Sequence, residues 1–225
     1  MNSKLLFFYQ PANLNLLINA IVMKIAIRSD ATQHAALMAK GIPETVSLTD
    51  DFSDADAIFD LVFDKDPSLI FAGWTKKPVL VNAVMFINSE LPDNYIRING
   101  WNGFLQNEVW EIVPKESEVF NQAITVLQHL GWKYLLVPDI PGMIAPRVIA
   151  TIINEAYFAL GENISSKESI DIAMRYGTNY PNGPFEWSQK IGVENVYALL
   201  KKLGEDDSRY EIAKALENEI ELKTA

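Results

Sequence analysis

The stretch Asp139–Trp187, DIPGMIAPRVIATIINEAYFALGENISSKESIDIAMRYGTNYPNGPFEW, decides the fold of the C-terminal part of the chain. Its opening pair, Pro141 and Gly142, is typical of a turn that ends a strand and admits a helix. Apolar residues then recur at helical spacing, at Ile144, Val148, Ile152, Tyr157 and Leu160. Gly161 is expected to close this helix in a left-handed cap.

Two further helices are predicted within the same stretch. Ser165 followed three residues later by Glu168 indicates a capping box at the start of one helix, and Gly177 is expected to end it. Pro184 suits the first position of the next helix. The pattern stays helical after Trp187, with a stripe at Val196, Leu199, Leu200 and Leu203 and a last helix that carries Tyr210. The whole segment therefore predicts an all-helical module.

Upstream of Asp139, short apolar runs alternate with helical patterns. The predicted strands cover residues 24–27, 45–48, 57–63, 78–84, 95–99, 109–113 and 133–137. Helices are predicted for residues 31–40 and 116–130. This alternation predicts an α/β sheet domain, which is followed by an all-α domain.

Composition excludes several kinds of site. The chain of 225 residues has no cysteine, which excludes disulfides, thiolate nucleophiles and cysteine-ligated metals. Its histidines are His34 and His129, and neither belongs to a recognisable metal-ligand spacing, so no metal site is predicted. The net charge of −10 opposes binding to a nucleic-acid backbone. A cytoplasmic protein with neither a nucleic acid nor a membrane as partner is expected.

Residues 1–23, MNSKLLFFYQPANLNLLINAIVM, precede the first predicted strand. Pro11 and several asparagines interrupt the apolar run, which is too broken for a membrane span or a secretory signal. We expect an N-terminal extension, with Met23 as the functional start. The alternative is an amphipathic helix that covers an apolar patch, and mass spectrometry of the native N-terminus would distinguish the two.

Two segments carry a family resemblance. PDIPGMIAPRVIATIINEAYFAL and SKESIDIAMRYGTNYPNGPFEW resemble the C-terminal domain of the 3-hydroxyacyl-CoA dehydrogenase family. ADAIFDLVFD, Ala55 to Asp64, is similar to the family's strand A-D-x-V-I-E-A-V-x-E. The resemblance implies a reduced Rossmann-like domain at 24–138 and a helical domain at 139–225. It also implies NAD as cofactor, an acyl-CoA ligand, and a homodimer formed through the helical domain.

The cofactor-binding pattern of the family departs from this chain. A dinucleotide-binding sheet opens with a strand, G-x-G-x-x-G and a helix, because bare backbone must approach the pyrophosphate. Here the first strand is followed by RSDATQ, residues 28–33, which contains no glycine, and Asp30 adds negative charge. Arg28 is the candidate residue that compensates for this charge, and the rival interpretation is a surface arginine. Asp50 is the candidate ribose-binding acid, and the rival interpretation is a loop acid. The early arrival of Ala55–Asp64 indicates a deletion in the adenosine half.

The catalytic pattern of the family, R-F-x-G-x-H-F-F-N-P with a glutamate about a dozen residues later, resembles RINGWNGFLQNEVWE from Arg97 to Glu111. Asn102 stands where the resemblance implies the catalytic histidine. An amide cannot accept and release a proton near neutral pH, so the general base is missing. Glu111 aligns with the glutamate that orients this histidine.

Two expected substrate contacts also differ. The family's serine segment falls on VNAV, residues 81–84, which has no hydroxyl. Pro146 replaces the asparagine that precedes the retained Arg147. Pro146 removes both a side-chain amide and a backbone N–H. Arg147 is predicted to pair with an acid or to bind a ligand.

Four roles of hydride transfer are therefore missing together: phosphate cradle, general base, hydroxyl and substrate amide. We expect a family protein of fatty acid and acyl-CoA metabolism that has lost or strongly altered its dehydrogenase activity and serves in binding or assembly. The alternative is an active NAD-dependent 3-hydroxyacyl-CoA (3-hydroxybutyryl-CoA) oxidoreductase with a rearranged site, in which Glu111 acts as the base.

Overall fold

A computed structural model describes residues 22–224 of the chain. The described residues divide into two compact units, one that ends at Met143 and one that begins at Ile144. The sequence pattern placed this boundary slightly earlier, near Asp139. The predicted extension 1–23 lies outside the described residues except for its last two, and Met23 already belongs to the first strand.

The first unit is built on a seven-stranded sheet. Its strands are β1 Met23–Arg28, β2 Val46–Leu48, β3 Ala57–Asp60, β4 Val79–Asn82, β5 Tyr95–Ile98, β6 Val109–Ile112 and β7 Lys133–Leu136. Their order is β2-β1-β3-β4-β5-β6-β7. Every neighbouring pair is parallel except β5 and β6, which are antiparallel. Two helices, α1 Ala31–Lys40 and α2 Glu118–His129, belong to this unit.

The central strands are buried on both faces. All residues of β3, β4 and β5 are buried, which is typical of a parallel sheet that is covered on each side. Successive side chains of a strand point to opposite faces, so Phe59 and Ile58 belong to two different core clusters. One cluster includes Trp110 and Leu127, and the other includes Tyr95. The predicted strand 57–63 is too long, because the chain turns after Asp60.

The second unit consists of helices. They are α3 Ala145–Gly161, α4 Lys167–Thr178, α5 Pro184–Ile191, α6 Val193–Gly204 and α7 Lys214–Thr224, with a short 3-10 helix at Ser208–Tyr210. Helix α3 packs against α5, α6 and α7, and the rings of Tyr157 and Phe185 meet at 5.0 Å. The predicted last helix was too long, because Tyr210 belongs to the 3-10 helix. The α/β sheet unit and the following all-α unit confirm the predicted fold class.

Asparagine, rather than glycine, takes the left-handed conformation after α3 and after α4. Helix α3 ends at Gly161, but the residue with positive φ is Asn163, at 57°. Helix α4 continues through Gly177, and its left-handed cap is Asn179, also at 57°. Asparagine reaches this conformation because its short polar side chain bonds locally. The left-handed cap predicted at Gly161 was therefore wrong, and so was the helix end predicted at Gly177.

The starts of α4 and α5 were predicted from capping signals. Ser166, rather than the predicted Ser165, caps α4, and its hydroxyl accepts a hydrogen bond from the Ser169 backbone N–H at 3.3 Å. Two adjacent serines make this choice ambiguous in the sequence. The prediction for α5 is confirmed, because Pro184 is its first residue.

Candidate functional site

The order of the strands defines one edge of the sheet as the place for a ligand. Strand β1 lies between β2 and β3. The connection from β1 therefore leads to β2 on one side, and the next connection crosses back to β3 on the other side. In open parallel sheets, ligands bind outside the carboxyl ends of the strands at such a switch point. The carboxyl ends of β1 and β3 are Arg28 and Asp60.

Ion pairs bridge this switch point. The Arg28 guanidinium donates to both carboxylate oxygens of Asp60, at 3.2 and 3.1 Å, and also to Asp66. Asp60 is fully buried, whereas Asp66 is exposed. Burial raises the pKa of Asp60 to about 6, although the Arg28 charge opposes the shift. The positive charge of Arg28 is thus neutralised inside the protein.

The N-terminus of α1 carries an anion from the chain itself. The Asp30 carboxylate accepts a hydrogen bond from the Gln33 backbone N–H at 2.8 Å, and Lys65 donates to Asp30 at 2.8 Å. Burial acts to raise the pKa of Asp30, but the bonds from Lys65 and Gln33 outweigh it and hold this pKa below its usual value. The helix end that would receive a pyrophosphate in a dinucleotide-binding sheet is therefore capped by a carboxylate.

Side-chain amides join the switch point to the neighbouring strand ends. Gln33 and Asn82 both donate to the carbonyl of Leu61, at 2.6 and 3.0 Å. The Asn82 amide oxygen accepts from the Gly100 backbone N–H at 3.0 Å. A Cβ atom at Gly100 would lie 2.6 Å from Cβ of Asn82, so this contact requires glycine.

A partly buried carboxyl lies next to the ends of β4 and β5. One Asp64 oxygen accepts from the Trp101 indole N–H at 3.0 Å and from the Val84 backbone N–H at 3.2 Å. The other oxygen is buried and has no hydrogen-bond partner among the described residues. Burial raises the pKa of Asp64 to about 7, against the effect of these bonds and of the Arg97 charge.

Arg97 is the buried cation of this edge. Its guanidinium donates to Asp139 at 2.5 Å, to the Ala83 carbonyl at 3.0 Å and to the Ile140 carbonyl at 3.1 Å. Burial lowers the pKa of Arg97, and the Asp139 carboxylate opposes that shift. Arg97 thereby fixes the loops that follow β4 and β7.

The structure places one predicted catalytic residue, Asn102, in the turn segment after β5 and the other, Glu111, on the neighbouring strand β6. Asn102 follows β5, and its amide oxygen is buried without a hydrogen-bond partner among the described residues. Glu111 is buried in β6, where its carboxylate accepts from the Asn99 amide at 3.1 Å. The antiparallel pairing of Ile98 with Ile112 brings Asn99 next to Glu111. The roles assigned to Asn102 and Glu111 stay predictions.

The predicted substrate residues belong to the helical unit. Pro146 is buried in the first turn of α3, where a proline costs no hydrogen bond. Arg147 donates to the Tyr210 hydroxyl at 3.1 Å, and its guanidinium lies 5.4 Å from the centre of that ring. Arg209 also donates to this hydroxyl. Ligand binding by Arg147 stays a prediction.

Asp50, the predicted ribose-binding acid, is exposed and follows β2 by two residues. The sequence did not single out Gln33, Asp60 or Asp64. A signal existed for the two acids, because ADAIFDLVFD places them inside an apolar run, where a carboxylate is expected to be buried and paired.

Two other features, a metal-ligand cluster and a membrane-spanning helix, are absent from residues 22–224. No group of three or more histidine, aspartate or glutamate side chains in that range could hold a metal ion. No helix there is both long and apolar enough to cross a bilayer.

The chain resembles known proteins in both sequence and structure. The chain combines a Rossmann-like sheet unit with an all-α unit. Residues 142–224 match the family model of the 3-hydroxyacyl-CoA dehydrogenase C-terminal domain. The 3-hydroxybutyryl-CoA dehydrogenase of Bradyrhizobium diazoefficiens is 24% identical over 86% of this chain and 72% of its own length. Residues 142–224 therefore match a domain of the 3-hydroxyacyl-CoA dehydrogenase family, and the chain as a whole is similar to 3-hydroxybutyryl-CoA dehydrogenases.

Other relatives show where the likeness is concentrated. The 3-hydroxyadipyl-CoA dehydrogenase of Escherichia coli is 44% identical over 82 residues, which are 36% of this chain and 17% of that protein. The crystal structure of an (S)-3-hydroxybutyryl-CoA dehydrogenase from Ralstonia eutropha has a TM-score of 0.67 at 17% identity, and covers 90% of this chain and 94% of that one. At this identity, the structural likeness shows the fold alone.

Proposed function

We propose that this protein acts in fatty acid and acyl-CoA metabolism with a lost or strongly altered NAD-dependent dehydrogenase activity, as a cytoplasmic binding or assembly protein. The observation that carries the proposal is the internal charge pairing at the switch point between β1 and β3. A catalytic dinucleotide site requires free backbone donors and uncompensated positive charge there.

The residues at the switch point do not fit the pyrophosphate of NAD. The Asp30 carboxylate occupies the N-terminus of α1, so a phosphate would meet a negative charge. The buried Asp60 carboxylate is a second negative charge nearby, and Arg28 is already paired with it. Arg28 therefore has no excess charge to offer as a cofactor ligand. Each feature disfavours binding of a dianionic group.

The proposed loss of catalysis rests on Asn102. An amide cannot serve as general base, and the buried side-chain oxygen of Asn102 has no hydrogen-bond partner among the described residues. Binding of an acyl-CoA without turnover is the corresponding ligand proposal, taken from the family. Arg147 is its candidate contact in the helical unit.

The assembly role is proposed from the surface of the helical unit. On α4 only Asp171 is buried, while Ile172 and Tyr176 lie one turn apart with 50% and 83% of their surface exposed. Ile164, just before this helix, is 68% exposed. Neighbouring exposed apolar side chains are typical of protein–protein interfaces. We propose that this surface takes part in a homodimer formed through the helical unit.

The alternative is an active oxidoreductase with a rearranged site, and two carboxyls, Glu111 and Asp64, favour it. Glu111 is buried in β6 and aligns with the glutamate of the family pattern. Asp64 has its pKa raised to about 7, which suits a group that exchanges protons near neutral pH. In this alternative, Glu111 or Asp64 would take the place of the imidazole.

One pair of assays tests the proposal. The purified full chain is titrated with NADH by fluorescence and then assayed with acetoacetyl-CoA for loss of nicotinamide absorbance, beside an active family member as positive control. We expect no turnover. Turnover that is lost in Glu111→Gln or Asp64→Asn would overturn the proposal in favour of the alternative. Asn102→His is expected to stay inactive, because the cofactor site is still absent.

Sedimentation velocity tests the assembly role separately. A dimer in the unmodified chain that dissociates in Ile172→Glu/Tyr176→Glu supports it. The matched control is Lys201→Glu, which lies on the exposed surface of α6. A monomer at all concentrations contradicts the homodimer.

A further inference from the structure

A cavity of about 550 Å³ opens at the amino edge of the sheet, away from the strand ends that form the candidate site. Met23 begins β1, Asp56 precedes β3 and Pro78 precedes β4, so three parallel strands start at this cavity. Among the described residues, the lining also includes Lys76, Lys77, Gln122, Thr125, Val126 and His129. This volume is within the range of small-molecule pockets.

The charges around the cavity favour an anion. Lys76 and Lys77 also line an adjoining cavity of about 390 Å³, together with Trp74. The Lys77 ammonium lies 5.5 Å from the centre of the Trp74 ring and donates to the Ser53 carbonyl at 2.5 Å. Asp56 is the acidic residue of the lining, and its carboxylate accepts from the Lys24 backbone N–H at 2.8 Å. Two lysines thus outweigh one acid in a chain whose net charge is −10.

The wall that α2 contributes has an unsatisfied acceptor. The Gln122 side-chain oxygen is buried, and no described residue donates a hydrogen bond to it. Buried polar atoms are normally paired, so a donor from a bound molecule would remove this energetic cost. Met23, Pro78 and Val126 add apolar surface to the same lining. The lining combines positive charge, apolar surface and one acceptor.

We infer that this cavity is a second ligand site, independent of the proposed function, for a small organic anion with an apolar body and a hydrogen-bond donor. The lysines attract the anionic group, the apolar side chains contact the body, and Gln122 accepts from the donor. The site lies at the opposite ends of the strands from the switch point, so neither the loss nor the retention of dehydrogenase activity affects it.

A matched pair of fluorescent probes tests this inference. 8-Anilinonaphthalene-1-sulfonate has an anionic group, aromatic rings and an N–H donor, and N-phenyl-1-naphthylamine is the same body without the sulfonate. Titration of the full chain should show one equivalent of the sulfonate probe, bound about tenfold more tightly than the neutral probe, a difference of about 1.4 kcal/mol that the attraction between the sulfonate and the two lysines supplies. Equal affinities, or several equivalents, would overturn it.

Substitutions in the lining of the cavity test whether the probe binds there. Lys76→Ala/Lys77→Ala should remove the tenfold preference and leave the affinity for the neutral probe unchanged. Thr125→Trp, which fills the cavity from α2, should abolish binding of both probes. Its control is Asn121→Trp, which is exposed on the same helix but outside the lining. Gln122→Leu, which removes the acceptor, should weaken both probes. Unchanged affinity for the sulfonate probe in the lysine variant, or equal loss of binding in the two tryptophan variants, contradicts the inference.

Discussion

The N-termini of α1 and α5 are each capped by an aspartate, but the aspartate at α1 is partly exposed and the one at α5 is buried. At α5, Asp171 reaches across from α4 and accepts hydrogen bonds from the Phe185 and Glu186 backbone N–H groups, at 2.8 and 3.2 Å. Asp171 is buried, and burial raises its pKa while the Phe185 bond opposes the shift. At α1, Asp30 caps its own helix, remains one-third exposed and pairs with Lys65.

This difference separates a cap that serves the packing of helices from a cap at a candidate ligand position. The Asp171 cap belongs to the stretch that resembles the family's helical domain, where it joins two helices. The Asp30 cap stands where the family resemblance expects glycines that leave room for a phosphate. The attraction between a carboxylate and a helix N-terminus thus stabilises packing in one unit. In the other unit, by our proposal, the carboxylate occupies a ligand position.

The largest expected effect comes from the contact between α4 and α5. A Cβ atom at Gly183 would lie 2.2 Å from the Asp171 carboxylate oxygen and 2.4 Å from its Cβ. We expect Gly183→Ala to lower the free energy of unfolding by about 4 kcal/mol, since overpacking and loss of the cap add. Urea denaturation measures this change.

Gly177→Ala is the control for that measurement. No atom lies within 4 Å of a Cβ built at Gly177, which is inside α4, so alanine should stabilise the helix by up to about 1 kcal/mol. Similar destabilisation by both substitutions would show that the close contact at Asp171 is not the cause.

Next in size is the pH dependence that Asp64 gives to the sheet unit. Its pKa is about 7 in the fold against an ordinary value of 3.8, so the folded state binds more protons and loses stability as the pH rises from about 4 to 7. The loss is at most about 4 kcal/mol. Asp64→Asn, which resembles the protonated acid, should match the unmodified chain at pH 4 and exceed its stability at pH 8.

Denaturation at a series of pH values tests this expectation. Asp60 has its pKa raised to about 6, so it adds a loss of the same sign, up to pH 6, to both proteins. The informative quantity is therefore the difference between the two curves. If the curves run parallel from pH 4 to 8, Asp64 is not protonated in the folded state at neutral pH.

The smallest expected effect compares the two caps directly. Asp171→Ala leaves two N–H groups unpaired near the core and should cost about 2 kcal/mol. Asp30→Ala should cost about 1 kcal/mol, because water reaches the exposed end of α1. Chemical denaturation of both variants measures the difference. An equal cost would remove the distinction between a structural and a replaceable cap, and recovery of NADH binding in Asp30→Ala would show that Asp30 alone excludes the cofactor.

Local patterns predicted most of the secondary structure. The range 31–40 predicted for α1 is the one observed, and Pro184 identified the start of α5. These features depend on residues that are close in sequence. The errors were also local: Asn163 and Asn179, rather than the glycines beside them, take the left-handed conformation, and the ambiguous serine pair shifted the cap of α4 to Ser166.

The site was predictable only in part. The absence of glycine after β1 and the asparagine at position 102 are visible in the sequence alone. The partners of those residues are not. Glu111 meets Asn99 because β5 and β6 pair in one particular antiparallel register, and no local pattern determines that register.

The sequence by itself determined an α/β unit before a helical unit, the resemblance to the 3-hydroxyacyl-CoA dehydrogenase family, and the absence of glycine from the turn after the first strand. Only the tertiary structure decided that Arg28 is neutralised by Asp60, that Gln33 reaches Leu61, and that Asp64 accepts a hydrogen bond from Trp101. These pairs are 32, 28 and 37 residues apart. The physical reason is that helices and turns form from neighbours in the chain, whereas the electrostatics of a sheet edge depend on which strands lie side by side.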